Sequence, residues 1–107
     1  MVHVTANGDR RTEVKQGDTV HLAVSAEVPP GMGTIISAEW DFDGAGTFPF
    51  RHDMDGSDIS IRLTTTHVYA VPGTYFATAR VTSNREGKID AEHRRLPNLD
   101  SARIVVT

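Results

Sequence analysis

Five aspartates, Asp41, Asp43, Asp53, Asp55 and Asp58, fall in two turn-like stretches, Asp41 to Gly46 and Asp53 to Asp58. Clustered carboxylates repel one another unless a cation sits among them, and calcium takes about six to eight oxygen ligands. If the fold brings both turns to one end, Asp41, Asp43, Asp55 and Asp58 form a candidate calcium site. The plainer reading is equally physical. Aspartate bonds its own backbone in turns, and Asp-Gly, present twice here, marks ordinary turns. Asp41 in particular suits the capping of nearby amides. No cofactor is expected, with calcium the one candidate.

Other chemistry finds less support. His21, His52, His67 and His93 are available, yet there is no Gly-x-Ser-x-Gly, no His-Glu-x-x-His and no cysteine. A nucleophile needs a base within hydrogen-bond reach and an oxyanion hole. Asp41 and Asp58 as a glycosidase pair would need a cleft that raises one pKa, and a small convex domain offers none. The expectation is a chain that is not an enzyme.

The elements that position these residues are strands. Thr19 to Ala26 alternates Val20, Leu22, Val24 and Ala26 with polar or small partners, the period-two pattern of a strand with one buried face. Thr34 to Phe42 turns Ile36, Ala38, Trp40 and Phe42 inward and Ile35, Ser37, Glu39 and Asp41 outward. Ile59 to Thr66 points Ile59, Ile61 and Leu63 inward. Gly73 to Ser83 points Tyr75, Ala77, Ala79 and Val81 inward and Phe76, Thr78, Arg80 and Thr82 outward. Ala102, Ile104 and Val106 line a last strand, and His3 to Ala6 and Thr12 to Lys15 supply short pieces. Pro and Gly punctuate the intervals, and no helix is predicted. About seven strands at this spacing predict an all-β, immunoglobulin-like antiparallel β-sandwich. The segment 84–100 reads either as a long loop or as an extended hairpin anchored by Ile89 and Leu96.

The 107 residues suit one domain, 1–107. With 11 Lys and Arg against 14 Asp and Glu, the net charge is −3, which is no footprint for nucleic acid. No apolar run approaches a membrane span, so membrane insertion is not expected. The absence of cysteine removes disulfides and thiolate metal sites, and packing alone must hold the fold.

What faces outward carries the binding hypothesis. Phe76 and Ile35 make an apolar spot flanked by Glu39 and Arg80 if their strands are neighbours, and Phe48 either joins such a surface or plugs one end. The competing reading is scattered exposed apolar residues and a plain cross-strand ion pair.

Two stretches together resemble a known family. Trp40-Asp41-Phe42 followed by the Gly-rich turn, and His67-Val68-Tyr69-Ala70-Val71-Pro72-Gly73-Thr74-Tyr75 some 25 residues on, resemble the PKD (polycystic kidney disease repeat) domain. The resemblance implies an immunoglobulin-like sandwich. It also implies a non-catalytic accessory module of a larger, extracellular or cell-surface protein, contacting a protein domain or a polysaccharide, and monomeric as an isolated domain. The alternative is a calcium-binding spacer with no partner. Within this frame Trp40 is the central core residue, resting on Leu22 with room left by Ala77 and Ala79. Tyr69 is a tyrosine corner bonding nearby backbone. Gly44-Ala45-Gly46 departs from the family's usual Gly-Asp-Gly, which removes one calcium ligand.

Overall fold

Eight strands organise the described residues of the computed structural model, which are 2–31, 33–54, 56–84 and 95–107, with backbone only for Arg95 and Leu96. They are β1 (Val2–Ala6), β2 (Arg11–Val14), β3 (Thr19–Glu27), β4 (Thr34–Asp41), β5 (Phe50–Arg51), β6 (Ser60–Val68), β7 (Gly73–Asn84) and β8 (Arg95–Val106). One sheet has the order β1-β3-β6 and the other β2-β8-β7-β4-β5. All pairings are antiparallel except β2 with β8, which run parallel. The sandwich is therefore as expected, with one strand more and one parallel edge. The extra strand is β5, only two residues long, formed from the apolar stretch around Phe50 that the alternation left unassigned.

The β3 alternation is realised throughout: Val20, Leu22, Val24 and Ala26 are buried, while Thr19, His21, Ser25 and Glu27 are exposed. Trp40 is fully buried at the centre. Its register partner on β7 is Ala79, and Ala77 and Ala102 are also inaccessible in the same core. Small residues opposite the indole give it space at interior packing density.

Two departures have local causes. A β-bulge on β4 between Ile35 and Ser37 inserts Ile36 as an unpaired residue. A bulge inverts the alternation beyond it, so Ile35, expected outward, is fully buried in the core. Ile59, expected inward, is 59% exposed. It lies in the bend before β6, its carbonyl accepting the Val28 amide proton at 2.8 Å, so its side chain is not set by the strand's pleat.

The β7–β8 hairpin continues in register to Asn84 and Arg95. Most of the ambiguous 84–100 segment that is described is thus strand rather than loop. Ile89 falls outside the described residues, and only the backbone of Leu96 is described. Among the described residues no helix is long and apolar enough to cross a membrane.

Candidate functional site

The chain leaves β4 at Asp41, whose carboxylate is almost fully buried and fully used. Its Oδ1 accepts the amide protons of Asp43 at 3.3 Å and Gly44 at 3.0 Å, and its Oδ2 accepts that of Gly46 at 2.7 Å. Asp41 thus organises the turn around its own side chain, the behaviour that makes aspartate a turn residue. The turn folds back on β7. A Cβ on Gly44, which has φ of +75°, would lie 3.0 Å from the Phe76 carbonyl oxygen and 3.3 Å from its Cβ. Only glycine permits both that angle and that approach.

The two acidic turns do not meet. Asp58 forms a bridge with Ile35 at the start of β4, its carbonyl accepting the Ile35 amide proton at 2.7 Å, while the Asp41 turn leaves the strand's other end. Six residues of extended chain separate them, roughly 20 Å. Asp43 is exposed beside the Asp41 turn, and Asp55 lies outside the described residues. No group of three or more His, Cys, Asp or Glu side chains able to hold a metal occurs among the described residues. The shared-end geometry that the four-aspartate calcium site required is therefore corrected: Asp41 and Asp58 stand at opposite ends of one strand.

Below the turn lies an aromatic series. Phe42 stacks on His67 with ring centroids 4.3 Å apart and planes 8° apart, and His67 meets Tyr69 edge-on at 4.6 Å. Phe42 also lies parallel to Trp40 at 6.2 Å. The Tyr69 hydroxyl donates to the Phe42 carbonyl at 2.5 Å, tying the end of β6 to the end of β4 in the opposite sheet. The bond expected to close locally thus closes across the sandwich, and it is Tyr75 that bonds locally, to the Val71 carbonyl at 2.7 Å. Burial pushes the Tyr69 phenol's pKa up, and Asp43, Tyr75 and Asp41 act in the same direction. Burial also lowers the His67 pKa, with Asp43 opposing it. His67 is therefore a packing residue between two rings.

The outer face of the five-stranded sheet holds the candidate binding residues. Phe76 is 50% exposed, as expected, and its register partner on β8 is Arg103. Arg80 pairs in register with Glu39, and its guanidinium donates to Glu39 Oε1 at 3.1 Å. The same guanidinium lies over the Phe48 ring, 4.0 Å from its centroid. Phe48 accordingly belongs to this face, in a cation–π contact, and does not plug the end. Ile35 does not belong to it. Besides being buried, it pairs with Ser83, whereas Phe76 lies beyond the Asp41–Thr78 pair at the other end. The other large exposed apolar residue on this face is Leu99, 55% exposed and in register with Arg80. Leu99 and Arg103 were missed because the pairing of β8 with β7 is invisible without the hairpin register. Period-two alternation counted back from Ala102 would have put Leu99 and Arg103 on the outward side. Arg80, Thr82, Pro97 and Leu99 line a shallow groove along this face.

The arrangement offers an exposed ring, an exposed aliphatic and a guanidinium already held in place. It contains no nucleophile–base pair among the residues described above. No curated protein matches this sequence. Residues 2–92 match the PKD domain family, which is most of the chain, and the tyrosine bridge, the central tryptophan and the two-sheet topology fit that match: the chain belongs to the PKD domain family.

Proposed function

We propose that this chain is an accessory interaction module of a larger extracellular protein, contacting a protein domain or a polysaccharide through the outer face of its five-stranded sheet. PKD domains are generally extracellular, non-catalytic, immunoglobulin-like modules, and that coarse role is the frame for the reading. The observation that carries it is that two large exposed apolar side chains, Phe76 and Leu99, share one sheet face, where Arg80, in register with Leu99, is held by Glu39 and Phe48. An exposed aromatic ring suits stacking on a sugar ring or an aromatic protein patch, and a pre-positioned guanidinium on the same face suits an acidic one.

The test is an amide NMR titration of the chain with a panel of soluble β-linked oligosaccharides, and separately with the domains adjoining it in its parent protein. The expected result is saturable shifts confined to outer-face residues of β4, β7 and β8 for one of these probes. Phe76→Ala and Leu99→Ala should each weaken that binding about tenfold, as truncating a central contact does. Their melting temperatures should stay within a few degrees of the parent, because both side chains are largely exposed. Shifts confined to another face would overturn the reading. So would the absence of any shift.

A further inference from the structure

The four sheet edges of this sandwich are not treated alike. A free edge exposes unpaired N–H and C=O groups, and proteins blunt it by shortening it, charging it or covering it. β5 is two residues long and carries Arg51. β2 is four residues long with Arg11 and Glu13 exposed. On β1, the Val4 amide proton is taken by Asp100 Oδ2 at 2.8 Å, and Arg10 clamps the same carboxylate with bonds of 2.9 and 3.0 Å. β6 is blunted least. It runs nine residues, Ser60–Val68, with no proline, no lysine and no bulge, and Arg62 is its one fully charged side chain. Among the described residues its only ladder partner is β3.

We infer that the β6 edge is a self-association surface, on which a second copy of this chain adds its own β6 in antiparallel register about Thr64. The inference is independent of the outer-face reading, since it concerns the other sheet. Its basis is the self-complementarity of the strand. A two-fold contact sets each residue of one copy against its mirror position in the other. Centred on Thr64, it sets Arg62 opposite the second copy's Thr66 and Thr64 opposite Thr64, so no like charges meet, and Thr–Thr cross-strand pairs are favourable. On the inner side Leu63 meets Thr65 and Ile61 meets His67.

The ends fit as well. Ile59, just before the strand, and Val68, its last residue, are 59% and 49% exposed. Antiparallel pairing carries each copy's Ile59 to the end where the other's Val68 lies. The groove along this flank, lined by Asp53, Met54, Asp58, Ile61 and Leu63, is covered by the incoming strand, and Met54 and Leu63 are apolar side chains only partly buried in the single chain.

The sequence contains no cysteine, which permits a register-specific test. In Thr64→Cys the two thiols meet at the two-fold axis. In the control Ser25→Cys the thiol is exposed on the same sheet face, but on β3, one strand away from the edge. With oxidised glutathione as oxidant, the Thr64→Cys chain should form a disulfide-linked dimer at least about tenfold faster than the control, because only its thiols are aligned across the contact. Sedimentation velocity of the unmodified chain between about 10 μM and 1 mM should show a coefficient rising with concentration, as a small interface implies. Thr64→Lys, which sets two ammonium groups opposite each other, should stay monomeric with an unchanged circular dichroism spectrum. Equal cross-linking rates, or a chain monomeric across that range, overturn the inference. Capture of an unrelated extended peptide by a chain that remains monomeric would also overturn it, in favour of a different occupant of the edge.

Discussion

The Trp40 indole donates its Nε1 proton to His52 Nε2 at 3.0 Å. An acceptor role for Nε2 requires His52 to be neutral, with its proton on Nδ1. Burial acts in the same direction and lowers the His52 pKa. A histidine whose pKa is depressed in the folded state stabilises the fold fully above its unfolded value of about 6.5, and this contribution is lost as pH falls below it. Thermal unfolding monitored by Trp40 fluorescence should therefore show a melting temperature that drops between neutral pH and about pH 5. His67, lowered by burial in the same way, contributes to that slope. His52→Gln keeps an acceptor without a titratable group, so its curve should be shallower than the parent's. Parallel curves would assign no role to the indole–imidazole bond.

Asp41 serves as the anchor of its turn. Asp41→Ala leaves the amides of Asp43, Gly44 and Gly46 without their acceptor. Hydrogen bonds to a charged group carry more than neutral ones, and the expected cost is about 2–3 kcal/mol in a denaturant titration. Because the carboxylate is already committed to backbone, calcium and chelator should leave the parent's melting temperature within about a degree, since only a ligand bound by the folded state raises it. A clear fall on adding chelator would show that a cation does reach these carboxylates.

Asp100 joins the two sheets. It sits on β8 and accepts the Val4 amide proton from β1, while Arg10 holds it in a bidentate pair. Burial works to raise its pKa, but the bonds from Arg10 and from the Val4 and Ser101 amides outweigh it and hold the carboxyl below its usual range. A carboxylate of depressed pKa stabilises the fold above its unfolded value of about 3.9, and loses that contribution as pH falls through the lower folded value. Asp100→Ala should therefore destabilise at pH 7 and lose part of that deficit relative to the parent in strong acid. Arg10→Ala should cost less, because Arg10 is exposed and the Val4 bond survives its loss. Equal effects of the two variants would mean that the Val4 bond contributes nothing.

Gly44 separates backbone strain from a steric contact. Gly44→Ala meets both a left-handed φ of +75° and the Phe76 carbonyl at 3.0 Å, whereas Gly8→Ala meets a similar φ of +84° with nothing within 4 Å. Gly8→Ala should cost about 1 kcal/mol for the angle alone. Gly44→Ala should cost about 1–2 kcal/mol more by denaturant titration, since displacing backbone strains the turn against β7. If the two variants unfold at the same midpoint, the turn moves away from Phe76 freely.

Much of the sandwich was legible because burial on one sheet face imposes period two on the sequence. β3, with Val20, Leu22, Val24 and Ala26 inward, and β7, with Ala77 and Ala79 inward, are read from alternation alone. Ile35 was misread because a bulge adds one residue without any mark in composition, and every side chain beyond it changes face. Phe76 and Arg80 were found because alternation also says what points outward. Leu99 was not named and Phe48 was left between this face and an end plug, because which residues share a face depends on strand neighbours and register.

By itself the amino-acid order determined most of the strands, the turns between them and the tryptophan-centred core, since these follow from local periodicity and from backbone angles that only certain residues accept. Only the tertiary structure decided where the ends of those strands lie. It set Asp41 and Asp58 at opposite ends of β4, carried the Tyr69 hydroxyl across to Phe42, and left β6 as the least blunted edge. Each of these depends on pairing between segments distant in sequence, and a local pattern carries no information about which segments pair.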